Sequence, residues 1–261
     1  MHTCLVPSFF SEKRRDKLYQ GVYSMNINFQ AGGRLSAVAA LVKDGAYLAD
    51  IGTDHAYIPI YLANIGRISA AIASDIRPGP LARAEENILS AGLSDKIRTV
   101  QTNGLRGLEQ YPITDIVIAG MGGLEIISIL EDAAFLKQTR PHLILQPMQH
   151  IPELRMYLSN GWKTEKETQA EENGKLYQIF SVVYDGIVRP LSETEQLLGR
   201  YNIEHKYENS ELFSKLCLRQ LALLDEKIAG LEKGKRDASA QKSLRSAIEA
   251  ELVSLHPNNL N

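Results

Sequence analysis

Apolar residues along this chain switch between two spacings, and the switches mark its elements. RLSAVAALV (34–42) places Leu35, Val38, Ala39 and Val42 on one helical face. AYLADI (46–51) is a short buried strand, and HAYIPIYLANIG (55–66) reads as a helix stopped by Gly66. AAIASDI (70–76) predicts a second strand, and PGPLARAEENILSAG (78–92) a helix with proline in its first turn. KIRTVQTN (96–103) and DIVIAG (115–120) predict the third and fourth strands, with GGLEIISILEDAAFL (122–136) the next helix. HLILQP (142–147) is a fifth strand, and IPELRMYLSNG (151–161) a helix. After it, two extended runs flank Asn173-Gly174, a dipeptide suited to a tight hairpin.

Strands alternating with helices imply a parallel sheet joined by right-handed crossovers. Five such units closed by an antiparallel hairpin differ from a six-stranded dinucleotide-binding order and match the sheet of class I methyltransferases, a Rossmann-like α/β fold. Beyond Pro190 the strands stop. Cys217, Leu221, Leu224, Ile228 and Leu231 form a narrow apolar seam, interrupted by KGKRDAS (233–239) and resumed by Leu244, Ile248, Leu252 and Leu255. Two antiparallel helices in a coiled-coil hairpin are the simplest reading. The expected division is therefore an extension over 1–24, with Met25 a candidate start, a methyltransferase-type domain over 25–187, and a helical domain over 188–261.

Composition narrows the setting. Two cysteines far apart, Cys4 and Cys217, argue against a disulfide framework or a thiolate zinc site and fit a reducing cytoplasm. No apolar run reaches the roughly 18 residues of a membrane span, so no membrane partner is expected. A formal net charge of −2 gives no general basic signature of nucleic-acid binding.

The chemistry gathers at predicted strand ends. Asp50-Ile51-Gly52-Thr53-Asp54-His55 has one glycine where a dinucleotide fingerprint needs three, and an added acid unsuited to a diphosphate. It suits S-adenosylmethionine, which has a zwitterionic amino-acid end and a cationic sulfonium. Asp75, at the second strand's end, can bind both ribose hydroxyls, and Asn103 in TNGL can address adenine. Asp54-His55 lacks the spacing of a metal site, and no metal is expected. IAGMGG (118–123) offers backbone and Met121 rather than a side-chain acceptor, either as a tight turn or as a floor for a planar base. Gln146, Gln149 and His150 follow the fifth strand, as loop residues or as substrate contacts.

Together, ADIGTDHAYIPIYL, SDI with its following PGP, NGL, DIVIAGMGG and LILQP resemble the bacterial TrmK family. That family consists of tRNA (adenine-N1)-methyltransferases acting at position 22 in the D-arm region. The likeness spans about residues 34–184, and the helical tail is similar in kind to the family's coiled coil. It implies that Asp50, Gly52, Thr53 and Asp54 surround the methionine end of S-adenosylmethionine, with Asp75 at the ribose and Asn103 and Gly104 at the adenine. Gly120 and Met121 would flank the transferred methyl, while Arg34, His55 and Tyr57 line the cleft beside Gln146. The expected catalytic group is Asp54, His55, Tyr57 and Met121. Three departures stand out: TNGL replaces the usual GDGL, Met148 follows LILQP where asparagine is usual, and Gly32-Gly33-Arg34-Leu35 replaces a Ser-Lys-Arg-Leu opening. Lys227, Lys233, Lys235 and Arg236 in the tail are candidates for tRNA grip, although residues 186–261 carry 11 Lys/Arg against 11 Asp/Glu, so a dimerising coil is the competing reading. Protein partners are not specified. A methyltransferase for another RNA site or a small molecule, and a non-catalytic S-adenosylmethionine-binding module, are the alternatives left open here.

Overall fold

The structure, a computed structural model, describes residues 33–255. The expected extension over 1–24, and Gly32 of the altered opening, lie outside them. Helix α1 (Arg34–Leu41) leads into β1 (Ala46–Ile51), α2 (Tyr57–Asn64), β2 (Ile68–Asp75), α3 (Pro78–Ser90) and β3 (Ile97–Gln101). Then follow β4 (Asp115–Met121), α4 (Gly123–Glu131), α5 (Leu136–Thr139), β5 (His142–Pro147) and α6 (Ile151–Leu158). The hairpin is β6 (Asn160–Glu172) and β7 (Lys175–Val188), turning at Asn173-Gly174. Seven strands form one sheet in the order β3-β2-β1-β4-β5-β7-β6, in which β7 runs antiparallel to both of its neighbours. This is the predicted class I methyltransferase sheet.

The sheet is covered on both faces, as parallel strands require. One apolar cluster includes Val38, Leu48, Ile60, Leu62 and Ile88; the other includes Ile116, Ile126, Leu143, Leu154 and Phe180. At the N-terminal ends of β4 and β5 sits a buried polar trio. His142 Nδ1 lies 2.8 Å from Asp115 Oδ2, and its Nε2 lies 2.7 Å from Ser181 Oγ on β7. Burial pushes the Asp115 carboxyl up, but hydrogen bonds from His142, the Lys43 amide and Thr114 outweigh it and hold the pKa below the usual range. These are the residue types of a hydrolase triad, yet all three are sealed inside the sheet. The trio joins three strands at the end opposite the candidate site.

Several boundaries differ from the sequence reading. Helix α2 starts at Tyr57 rather than 55, because Ala56 adopts a left-handed conformation (φ 54°) and its amide donates to Thr53 Oγ1 at 3.0 Å. The helix expected over 122–136 divides into α4 and α5, with Ala133 and Leu136 buried around the break. The third strand ends at Gln101, so Asn103 lies in the following turn. Past β7 come two short helices that were not anticipated, α7 (Glu193–Leu198) and α8 (Arg200–Glu204). A reciprocal capping box of Ser192 and Glu195 starts α7.

The tail closes with α9 (Ser210–Lys233) and α10 (Ser239–Val253), packed through Cys217, Leu221, Leu224 and Ile248. The ion pairs Glu232–Lys242, Asp225–Arg245 and Lys206–Glu251 show the two helices running antiparallel. Leu176 of β7 packs into the same apolar cluster, and Lys215 pairs with Glu171 of β6, so the tail rests on the hairpin.

Candidate functional site

Between β1 and β4 the chain reverses its direction of travel across the sheet, and open α/β sheets bind ligands beyond the strand ends at that crevice. The C-terminal ends of β1, β2 and β4 bring Asp50, Gly52, Asp75 and Met121 to this rim. Asp50 is buried, and burial raises its pKa to about 6 despite the hydrogen bond from Thr53. No cation faces it among the described residues, so the pocket at the end of β1 holds a carboxyl group lacking a counter-charge. Gly52 has φ +73°, and a Cβ there would fall 2.0 Å from Met121 Cε. The positive φ favours glycine here, and the end of the Met121 side chain from β4 lies against it.

Asp75 ends β2 and is 5% exposed. Its Oδ1 accepts from the Arg77 amide at 2.7 Å and from Arg77 Nε at 3.3 Å. Asp54 is exposed, in contrast, and pairs with Arg83 of α3, whose hydrogen bond is the main reason its pKa is lowered. Asn87, one turn further along α3, donates to the His55 carbonyl at 3.1 Å. The His55 and Tyr57 rings stack at 4.8 Å between centroids, only 8° from parallel, and form a flat half-exposed platform beside Asp54. Two amides of this turn are already used, since Thr53 N–H donates to Ser74 O and Ala56 N–H to Thr53 Oγ1.

Strand β4 continues past Ile118, its last residue paired with β1, so Ala119–Met121 have no ladder partner on that side. On its other edge the pairing with β5 shifts register at Gly120, which has φ +78°. Gln146 Oε1 accepts from Gly120 N–H at 3.1 Å and from Arg34 Nη1 at 2.9 Å. Arg34 also lies over the Tyr177 ring, 5.7 Å from its centre. Among the described residues, no three His, Cys, Asp or Glu side chains are grouped so as to hold a metal ion. A cleft of about 210 Å³ opens elsewhere, at the junction of α6, β6 and α8, and its three arginines, Arg155, Arg189 and Arg200, are each already bonded to a carboxylate of the chain.

Residues 31–180 match the family model described as a methyltransferase domain. The tRNA (adenine(22)-N(1))-methyltransferase of Bacillus subtilis is 36% identical over 162 residues, 59% of this chain and 68% of the relative. The chain belongs to the TrmK family. Solved TrmK-family structures extend the likeness beyond the sheet. M. capricolum TrmK in complex with S-adenosyl-homocysteine superposes with a TM-score of 0.72 at 25% identity, covering 85% of this chain and 98% of that one. The Streptococcus pneumoniae protein Sp1610 in complex with S-adenosyl-L-methionine gives a TM-score of 0.73 at 34% identity, over 84% and 98% of the two chains.

The TrmK-family residues expected from sequence fall into four groups in space. Asp50, Gly52, Thr53, Asp75, Gly120 and Met121 belong to the strand tips. His55, Tyr57 and Asp54 form the adjoining platform, while Asn103 and Gly104 follow β3, with Asn103 exposed. Lys233, Lys235 and Arg236 are remote, at the tip of the α9–α10 hairpin, where they and Lys227 make no ion pair among the described residues. Sequence reasoning missed Arg83 and Asn87, which fix the Asp54-His55 turn from α3. Their four-residue spacing was visible, but nothing in it distinguishes such a pair from an ordinary solvated face.

Proposed function

We propose that this protein methylates N1 of adenine 22 in tRNA, using S-adenosylmethionine. The observation that carries this reading is the rim itself: a buried carboxyl at Asp50 with no counter-charge, a second buried carboxylate at Asp75, and Gly52 at positive φ against Met121, in a chain of the TrmK family. The donor set fits the cofactor. Asp50 supplies a negative charge suited to its cationic end, Asp75 an acceptor for a ribose diol, and Asn103 with Gly104 an edge for its adenine. When bound, the cofactor supplies an activated methyl group.

The chain's own task is then positioning and electrostatics, because adenine N1 has a lone pair and needs no prior deprotonation. N1 lies on the pairing edge, so the base must leave its stack to react. The His55–Tyr57 platform offers it a stacking surface, and the edge of Ala119–Met121 that lacks a ladder partner lies beside it as a polar wall. Methylated N1 leaves the ring cationic. Asp54 stays ionised beside Arg83 and can balance that charge, although the same arginine screens it.

The unpaired cations at the hairpin tip support a tRNA-gripping role for the tail. Helix α9 has 24 residues and is about 36 Å long at 1.5 Å per residue, so the tip can meet a part of the tRNA well away from the reacting base. A tRNA substrate implies residence in the cytoplasm. No helix among the described residues is long and apolar enough to cross a membrane.

The test is methyl transfer to an unmodified tRNA transcript carrying adenine at position 22, beside the same transcript with guanine there. Label incorporation with a reverse-transcription stop at position 22 is expected for the first alone. Equal labelling of both would refute the site assignment.

A further inference from the structure

We propose that Gln146 is a positioning residue, which holds the bulged tip of β4 against the reacting centre without touching substrate. This rests on the methyl-transfer reading above. A glutamine at the end of an apolar strand beside an active site looks like a substrate contact, but here the side chain is fully buried. Its carbonyl accepts from Arg34 and from Gly120 N–H, while its amide donates to Pro147 O at 2.8 Å and faces Met148 Sδ at 3.6 Å. A primary amide has two acceptor and two donor positions. All four are engaged within the chain.

The bulge explains why such a residue is needed. Ala119 pairs with Gln146 and Met121 with Pro147, so Gly120 between them has no ladder partner on β5. The Gln146 side chain takes the place of that missing backbone acceptor. Through one carbonyl oxygen it fixes the bulge, orients the Arg34 guanidinium under Tyr177, and ties α1 to the two central strands. The neighbouring bond from Met148 N–H to Met121 O, at 2.8 Å, anchors the next residue of the tip. Met121 is thereby set with the end of its side chain against Gly52. Releasing the clamp lets the wall beside the reacting atoms shift, whereas Asp50 and Asp75 on β1 and β2 stay in place. The effect should therefore fall on turnover rather than on binding.

The experiment compares full-length wild type with Gln146→Ala, measuring kcat and KM on tRNA and the Kd for S-adenosylmethionine by calorimetry. Misplacement by about 1 Å costs on the order of a hundredfold in rate, so Gln146→Ala should lose about ten- to a hundredfold in kcat, with Kd and KM within about threefold. Should the alanine variant fail to fold, Gln146→Asn carries the same test, because its shorter arm cannot span both donors. A loss confined to KM or Kd, or no loss in kcat, would overturn the clamp. Wild type inactive on tRNA would overturn the functional reading and the clamp's catalytic role together, whereas active wild type beside an unimpaired Gln146→Ala overturns the clamp alone.

Discussion

Asp75→Ala is expected to weaken S-adenosylmethionine binding about a hundredfold or more, because hydrogen bonds to a charged group contribute roughly 1.5–3 kcal/mol each and a ribose diol makes two. The carboxylate is well prepared for that role. It closes β2, and both of its internal bonds, from the Arg77 amide and Nε, fall on Oδ1, which leaves Oδ2 to face a ligand. Asp75→Asn, which retains one carbonyl acceptor, should lose less. Calorimetry on the two variants measures the difference directly, and affinity unchanged in Asp75→Ala would show that the ribose is held elsewhere. Binding of tRNA in the absence of cofactor should not change, since Asp75 is buried.

The largest effect on stability should come from Arg155. This residue of α6 is buried, donates from Nη1 to the Gln196 and Leu197 carbonyls at 2.8 and 2.9 Å, and from Nη2 to Glu167 and Gln178. Its guanidinium also lies over the Phe180 ring. It thus joins the sheet, α6 and the first helix of the tail at one point. Arg155→Met would leave Glu167 buried without its cation, a change that costs about 3–5 kcal/mol. Lys242→Ala, by comparison, breaks an exposed pair with Glu232 and should cost far less. Chemical denaturation of both variants separates the two magnitudes, and a loss in Arg155→Met no larger than in Lys242→Ala would show that the junction is held by apolar packing alone.

The sheet was legible because its central strands are buried on both faces and read as largely apolar runs. AYLADI and HLILQP coincide with β1 and β5 residue for residue. Asp75 and Gly52 were legible for a related reason, since strand ends are where such runs stop. Helix starts were less so: α2 is delayed by the bond from Ala56 N–H to Thr53 Oγ1, and a threonine in a loop does not announce that bond. The break between α4 and α5 has no glycine or proline to signal it; packing of Ala133 and Leu136 decides it. The Ser192–Glu195 box did carry a readable signal for α7. What no local pattern could supply were partners distant in sequence. Arg83 reaches Asp54 across 29 positions, and Arg34 reaches Gln146 across 112. The character of Gln146 therefore changes once the structure is known, from an apparent substrate contact to a side chain with no free polar atom.

The account depends most on the buried carboxyl at the end of β1. With a pKa near 6, Asp50 is protonated in acid, and ionising it in the free protein opposes folding, so its contribution makes stability fall as pH rises from about 4 to 6. A cationic ligand reverses this preference: binding should expel the proton, and affinity should weaken about tenfold per pH unit below 6. The decisive measurement is a calorimetric titration with S-adenosylmethionine at pH 6, run in two buffers of different ionisation enthalpy and repeated at pH 8. The predicted result is saturable binding with more proton release at pH 6 than at pH 8. No saturable binding, or preference for a nicotinamide dinucleotide, would contradict it.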